Sequence, residues 1–310
     1  MTVTGWIPAE EMGITLTHEH IMIDWSGADS MVYGAWDQDS IILIVHPYLQ
    51  EIKDLGCNTV IECTPSYMGR DPVVYRELSE KTGVNIIFST GYYGAINNRF
   101  IPSHAWDETG EQLAARWLEE WEGGVHGTGI RPGIIKIAVF FDTTLTELHQ
   151  KIVRAAALTH LESGLTIVAH TGPGERAYEQ LEILEKEGVS PEAFVWTHAL
   201  MGTKDDHVKI GKMGSWVSFD KIDTEQETID FLIDVLIHMK ENDLLNKVLL
   251  SHDAGWYNVG QPGGGDFRPY TPLFTHLVPA MKDAGFTEEE VEQVLVKNPA
   301  EAYTVKVRKI

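Results

Sequence analysis

The sequence predicts one (β/α)8, or TIM, barrel running through residues 1–310, and three features lead there. Eight short apolar runs alternate with longer segments of helical period. The strand candidates are continuously apolar and bounded by turns, the pattern of a parallel sheet covered on both faces. Eight βα units over about 250 core residues match such a barrel. No Gly-rich fingerprint follows the first strand to favour the alternative, an open doubly wound sheet. No linker, internal repeat or low-complexity segment divides the chain, so it reads as a single domain.

The first strand is Ile14–His20, an alternating run that ends in two histidines. After a loop rich in Asp, Ser and Gly, Ile41–Leu55 carries apolar residues near 3.6 spacing and stops at Gly56. Asn58–Thr64 is the second strand, and Asp71-Pro72 caps and opens a helix that Gly83 ends. Val84–Thr90 is the third strand. A long aromatic-rich loop follows, then the helix Glu111–Trp121 and a loop over 123–133. The fourth strand, Ile134–Val139, leads to the helix Thr144–Ser163 and its terminal Gly164. The fifth, Leu165–His170, leads to a helix opened by Pro173-Gly174 that runs to Gly188. Ala193–His198, Ser215–Phe219 and Lys247–Ser251 are strands six to eight, separated by the helices Lys204–Lys212 and Thr224–Glu241. Leu273–Ala284 and Thr287–Lys297 are terminal helices.

Formal net charge is −22, from 46 Asp+Glu against 24 Lys+Arg, a balance that repels nucleic acid and anionic membrane. It leaves room for an anionic small molecule, because a local metal or basic cluster overrides the overall field. Cys57 and Cys63 fall in or near an apolar run and are expected to be buried free thiols. Met1–Glu10 holds no basic region and no long apolar stretch, and no run of about 20 apolar residues follows. A cytoplasmic protein with no membrane partner is expected.

In a barrel the C-terminal ends of the strands form one mouth. His18 and His20 project to the same face, with Glu19 turned away. His170 ends strand five, His198 ends strand six, Asp253 follows strand eight, and Lys136 lies amid apolar neighbours in strand four. One strand-end histidine is an ordinary structural residue, but several converging on one mouth point to metal. Two cations about 3.5–4 Å apart share a water and lower its pKa to roughly 7. Neutral imidazoles and a carboxylate suit Zn, with Mn, Co or Fe as alternatives. His18, His20 and Asp253 can hold one ion and His170 and His198 a second, which then lacks a bridging anion. Lys136 stands where the bridge belongs. It is a lysine carboxylated by carbon dioxide to a carbamate, an ammonium paired with a carboxylate, or the Schiff-base lysine of a lyase. Four imidazoles favour the first of these.

The run Gly13–His20 (GITLTHEH) closely resembles the N-terminal signature of the phosphotriesterase family in the amidohydrolase superfamily. Thr64–Pro72 (TPSYMGRDP), the Lys136 strand, His170-Thr171-Gly172, Thr197-His198 and Ser251-His252-Asp253 follow in that family's order, across nearly the whole chain. The resemblance implies a metal-dependent barrel hydrolase. It implies His18, His20 and Asp253 on one divalent ion, His170 and His198 on the other, and Lys136 as N6-carboxylysine between them. Some members carry Glu at the bridging position, so the lysine here implies the carbamate. Members are often dimers, which makes a homodimer the expectation on that ground alone.

The expected chemistry is attack of a metal-bridging hydroxide on an ester-type carbon or phosphorus, with Asp253 as ligand and base. Lactonase-like members have a tyrosine shortly after strand three that leans on the metal site. Tyr93 offers itself for that role, with rim packing as the alternative. Lys221, Arg268 and Tyr270 are candidates to bind a substrate carboxylate or phosphate, Arg268 being otherwise a solvated loop charge. Asp220 either orients a ligand histidine or caps the next helix. His252 alternates with Asp253 and is kept out of the metal site. Trp25, Trp106, Trp196 and Trp256 read as packing or as pocket walls. A lactone, especially an acidic or sugar-derived one, is the first choice of substrate. A phosphotriester comes second, as a side activity, and an N-acyl amide third. A Schiff-base lyase built on Lys136 is the rival from another class.

Overall fold

A computed structural model describes every residue from Met1 to Ile310. The apolar runs form β1 (Ile14–Ile23), β2 (Cys57–Glu62), β3 (Asn85–Thr90), β4 (Ile134–Ala138), β5 (Thr166–His170), β6 (Phe194–Thr197), β7 (Trp216–Phe219), β8 (Val248–Leu250) and β9 (Gly255–Asn258). They lie in the order β8-β7-β6-β5-β4-β3-β2-β1-β9, all pairs parallel. β1 closes the sheet on β8. The Thr17 hydroxyl donates to the Leu250 carbonyl at 3.1 Å, His18 N–H to Ser251 Oγ at 2.9 Å, and Asp253 N–H to the His18 carbonyl at 3.0 Å. The result is the eight-stranded barrel that the alternation predicts.

The covering helices are α1 (Gln38–Asp54), α2 (Pro72–Thr82), α3 (His104–Asp107), α4 (Gly110–Gly123), α5 (Glu147–Ser163), α6 (Gly174–Lys186), α7 (Lys204–Lys212) and α8 (Gln226–Glu241). α9 (Val278–Asp283), α10 (Glu288–Glu292) and α11 (Asn298–Tyr303) follow the barrel. Local signals set their ends. Asp71 accepts from Val73 N and Val74 N while Pro72 opens α2, and Gly83 closes it at φ 68°. Gly164 ends α5 at φ 75°. A Cβ there would meet the Lys306 backbone at 2.9 Å, so glycine is needed for close approach as well as for the turn.

Strand alternation sorts the interior into layers. Ile61, Ile87, Ile134, Val168, Val195, Trp216 and Leu249 fill the lower barrel, and Met12, Ala302 and Tyr303 plug its floor. Their outward neighbours pack under the helices in one continuous apolar layer. The next inward positions, Lys136, His170, Ser218 and Ser251, are polar and buried or nearly so. These four strands thus change from apolar to polar as they reach the C-terminal mouth.

Three elements differ from expectation. β1 runs on past His20 to Ile23, because β9 pairs with its far half through His20↔Gly255, Met22↔Tyr257 and Ile23↔Asn258. β9 is a short ninth strand inside what reads as loop. The last helical stretch continues beyond Lys297 into α11. Cys57 and Cys63 are buried and unpaired. No helix is long and apolar enough to cross a membrane.

Candidate metal centre

β1 delivers His18 and His20 to the barrel mouth, 1% and 5% exposed. His18 Nδ1 lies 2.8 Å from Asp220 Oδ2. A carboxylate oxygen only accepts, so the proton sits on Nδ1 and the Nε2 lone pair is free. His20 Nδ1 lies 2.9 Å from Thr64 Oγ1, whose own hydroxyl donates to the Met22 carbonyl at 3.1 Å. Thr64 must therefore accept from His20, and the same tautomer follows. His198 repeats it, with Nδ1 2.9 Å from Asp220 Oδ1 and the backbone N–H donating to the same carboxylate at 3.0 Å.

The free nitrogens converge. His20 Nε2 is 3.1 Å from Asp253 Oδ1, and His18 Nε2 is 3.9 Å from the same oxygen. His198 Nε2 is 2.7 Å from His170 Nδ1, and because His198 carries its proton on Nδ1 it accepts here from the His170 Nδ1–H, the position a metal would take. Lys136, 1% exposed, rises from one inward layer below His170, since Ala138 is the register partner of His170. Its Nζ stands 3.1 Å from His18 Nε2 and forms no ion pair. Ligand atoms of His18, His20 and Asp253 fall within 4.8 Å of one another, as do those of His18, His198 and Asp220. In the second group the Asp220 oxygens are already taken by two imidazole N–H groups, so Asp220 orients the His18 and His198 rings. Lone pairs of buried imidazoles beside a carboxylate are a donor set that fits divalent zinc and its neighbours.

Electrostatics favour the neutral form at His18, His20 and His170. Burial, then Lys136, lowers His18 to about 4. Burial does the same for His20 and for His170, which stay well below the ordinary histidine value. At His198 burial also pulls downward, but the Asp220 carboxylate outweighs it and the net shift is upward. Burial would raise the Asp220 carboxyl, yet His198 and His18 hold it well below the usual range. Burial pushes Asp253 above its ordinary value. Asp220→Asn would put an amide against one of the two imidazole donors. Metal affinity is then expected to fall about 10–100-fold, measured as metal retained against a graded chelator. Unaltered retention would remove the orienting role.

His198 reaches the site by a turn that strand periodicity does not foresee. Val195 faces into the barrel and Trp196 outward, so a strand continued through His198 would send it outward too. β6 instead ends at Thr197, and His198 takes φ 58°, ψ 36°. This left-handed step swings the ring inward. Asp253 is also left-handed, at φ 53°.

A cavity of about 360 Å3 opens above the cluster. Phe141, Leu200 and Met201 supply its apolar wall, and Lys221 and Arg268 its cations. The Tyr93 hydroxyl lies 3.1 Å from His170 Nε2, and burial raises its phenol above the ordinary value. Arg268 is exposed and its Nη2 donates to the Asp253 carbonyl. Tyr270 does not belong in the substrate set. It is 0% exposed, and its hydroxyl donates to the His20 carbonyl at 2.8 Å, so it supports β1 from behind. Asp220 is no helix cap, since Glu225 holds that place before α8. His252 turns away from the cluster, with Nδ1 on Glu19 at 2.6 Å.

Sequence reasoning missed two neighbours of these histidines, Thr64 and Phe141, and placed the third, Trp256, only as packing or a pocket wall. Thr64 fixes the His20 tautomer. Phe141 stacks on His170, with centroids 4.6 Å apart. Trp256 stacks on His20 at 3.7 Å. Thr64 sits in the quoted TPSYMGRDP run; the two stacking pairs leave no mark in spacing or composition.

Comparison with known proteins agrees over the full length. The model of the phosphotriesterase family matches residues 1–303. A phosphotriesterase homology protein of Escherichia coli (strain K12) is 32% identical over 296 residues, covering 94% of this chain and 98% of its own. The solved structure of an organophosphorus hydrolase from Deinococcus radiodurans superposes with a TM-score of 0.87 at 28% identity, over 98% of this chain and 96% of that one. A mutant of a phosphotriesterase-like lactonase from the same organism gives 0.86 at 28% identity, over 98% and 99%.

Proposed function

This chain belongs to the phosphotriesterase family, and from that premise we propose that it is a metal-dependent hydrolase whose substrate is a lactone bearing an acidic group. One observation carries the reading. Free imidazole nitrogens and Asp253 converge below a cavity flanked by Lys221 and Arg268, in a chain of net charge −22. His18, His20 and Asp253 would hold one divalent ion and His170 and His198 a second, with zinc the first expectation and Mn, Co or Fe the alternatives. Lys136, as a carbamate, would be the anion between them. Its buried Nζ meets the His18 imidazole at 3.1 Å and no carboxylate, so no acidic side chain of the protein holds it as an ion pair. It does not line the cavity, which speaks against a Schiff base with substrate.

The bound ions would supply a water of lowered pKa and a Lewis acid for the carbonyl oxygen. The chain's own groups do the rest. Asp253 takes the proton released as water adds to the lactone carbon and returns it to the ring oxygen as the C–O bond breaks. Tyr93, kept protonated by burial, leans on the cluster through its hydroxyl, 3.1 Å from His170 Nε2, and fixes that ring. Phe141, Leu200 and Met201 exclude water, and Lys221 and Arg268 draw in the acidic substituent. The lactonase likeness from Deinococcus radiodurans supports the choice of ester.

Metal analysis combined with a panel of acidic lactones, neutral lactones, phosphotriesters and N-acyl amides tests the reading. The best turnover is expected on acidic lactones; an amide or phosphotriester turned over faster than any lactone would replace it. Lys221→Met is expected to raise KM for an acidic lactone about tenfold, the worth of one charge-assisted hydrogen bond. The kcat and the values for a neutral lactone are expected to stay put. Equal losses on both substrates would make Lys221 a packing residue.

A further inference from the structure

Glu19 stands between the two histidines of β1 and faces away from the metal centre, yet it is 0% exposed. Its carboxylate accepts four hydrogen bonds from one short stretch of chain. Oε1 receives Ser251 Oγ at 2.7 Å, His252 N at 3.0 Å and His252 Nδ1 at 2.6 Å, and Oε2 receives Ala254 N at 2.9 Å. These donors flank Asp253 on both sides. Asp253 holds φ 53°, a left-handed conformation that an aspartate tolerates better than most residues but that neighbouring hydrogen bonds must still select over the extended one. The grip extends further. Ser251 Oγ accepts from His18 N at 2.9 Å, and His252 Nε2 accepts from Leu273 N at 2.9 Å, which fixes the His252 proton on Nδ1.

We propose that Glu19 is a positioning residue for Asp253: by holding Ser251, His252 and Ala254 it keeps the Asp253 backbone left-handed and its carboxylate aimed at His18 and His20. It touches no reacting atom. A carboxylate suits the place because it accepts at every lone pair and presents no proton of its own. A glutamine amide would set its NH2 against the Ala254 N–H or against the donors of Ser251 and His252. The effect on metal binding rests on the metal reading above; the effect on Asp253 geometry does not.

The test compares full-length parent and Glu19→Gln in two ways, by crystal structures of the metal-free proteins and by Co(II) titration followed through visible absorption. In the variant, Asp253 is expected to leave the left-handed region or turn its carboxylate from His20. The Co(II) dissociation constant is expected to rise about 10–100-fold. A variant that melts lower but keeps both the Asp253 geometry and the parental cobalt isotherm would reduce Glu19 to a structural role and overturn the proposal. A parent that binds no cobalt would sink the metal reading, while the crystal comparison would still decide this one. Should E19Q fail to fold, Ser251→Ala removes one of the four donors with little loss of bulk. A displaced Asp253 there supports the proposal, and unmoved geometry with parental cobalt binding overturns it.

Discussion

Asp253→Asn is expected to leave a folded, metal-loaded protein whose turnover falls about 10²–10⁴-fold, the usual worth of a positioned general base. Three features make this substitution clean. Asparagine tolerates the left-handed backbone that Asp253 adopts at φ 53°. The groups that fix the Asp253 backbone, Trp256 Nε1 at 3.0 Å and Arg268 Nη2, donate to its carbonyl and not to its side chain. The amide keeps one oxygen toward His20, where Asp253 Oδ1 now stands at 3.1 Å. What is lost is the proton acceptor. Turnover at the parental rate would remove Asp253 from catalysis. Loss of metal in step with activity would make it a ligand and nothing more. Metal content and kcat measured on the same preparation separate the cases.

Lys136 carries the second large effect. Metal-free protein reconstituted with zinc or cobalt in carbon-dioxide-free buffer is expected to recover little activity, and added bicarbonate is expected to restore it. If the carbamate contributes about 3 kcal/mol to holding the ions, activity at limiting metal differs about a hundredfold between the two conditions. Lys136→Met is expected to lose both the activity and the bicarbonate response. The physical reason lies in the surroundings of Nζ, which is buried, 3.1 Å from His18 Nε2, and free of any ion pair. Near His18, His170 and His198 an ammonium adds positive charge where cations would bind, whereas a carbamate reverses the sign. Indifference to bicarbonate, with parental activity in both buffers, would leave Lys136 an unmodified amine and remove the second ion's bridge.

The chain announces its barrel because the signals are local. Continuous apolar strands, helical period and caps such as Asp71-Pro72 and Gly83 act within a few residues, and the structure follows them to within a residue or two at most ends. Lys136, His170 and Asp253 fall at inward positions that alternation reaches by counting, so they too could be read directly; His18 and His20 share the parity of the outward Leu16 and turn inward only through a register shift of β1 between Leu16 and Glu19. Other features depend on which distant segments meet. Asp220 serves His18 from 202 positions away and His198 from 22, and neither histidine predicts the other as a neighbour on one carboxylate. His198 enters only through a left-handed turn that breaks strand alternation. Tyr270 lies two residues from Arg268, one buried behind β1 and the other exposed at the cavity. β9 exists because β1 has an unpaired far half to accept it.

The sequence by itself determined the alternation of strands and helices, the inward face of most strands, and the imidazole, amine and carboxylate groups near the mouth, because each depends on backbone preference and period within a short span. Only the tertiary structure decided which carboxylate holds which imidazole, which nitrogen of each ring stays free, and how Glu19 grips the Asp253 segment. Those depend on the stagger and closure of the whole barrel, which bring strand ends from opposite ends of the chain to hydrogen-bonding distance.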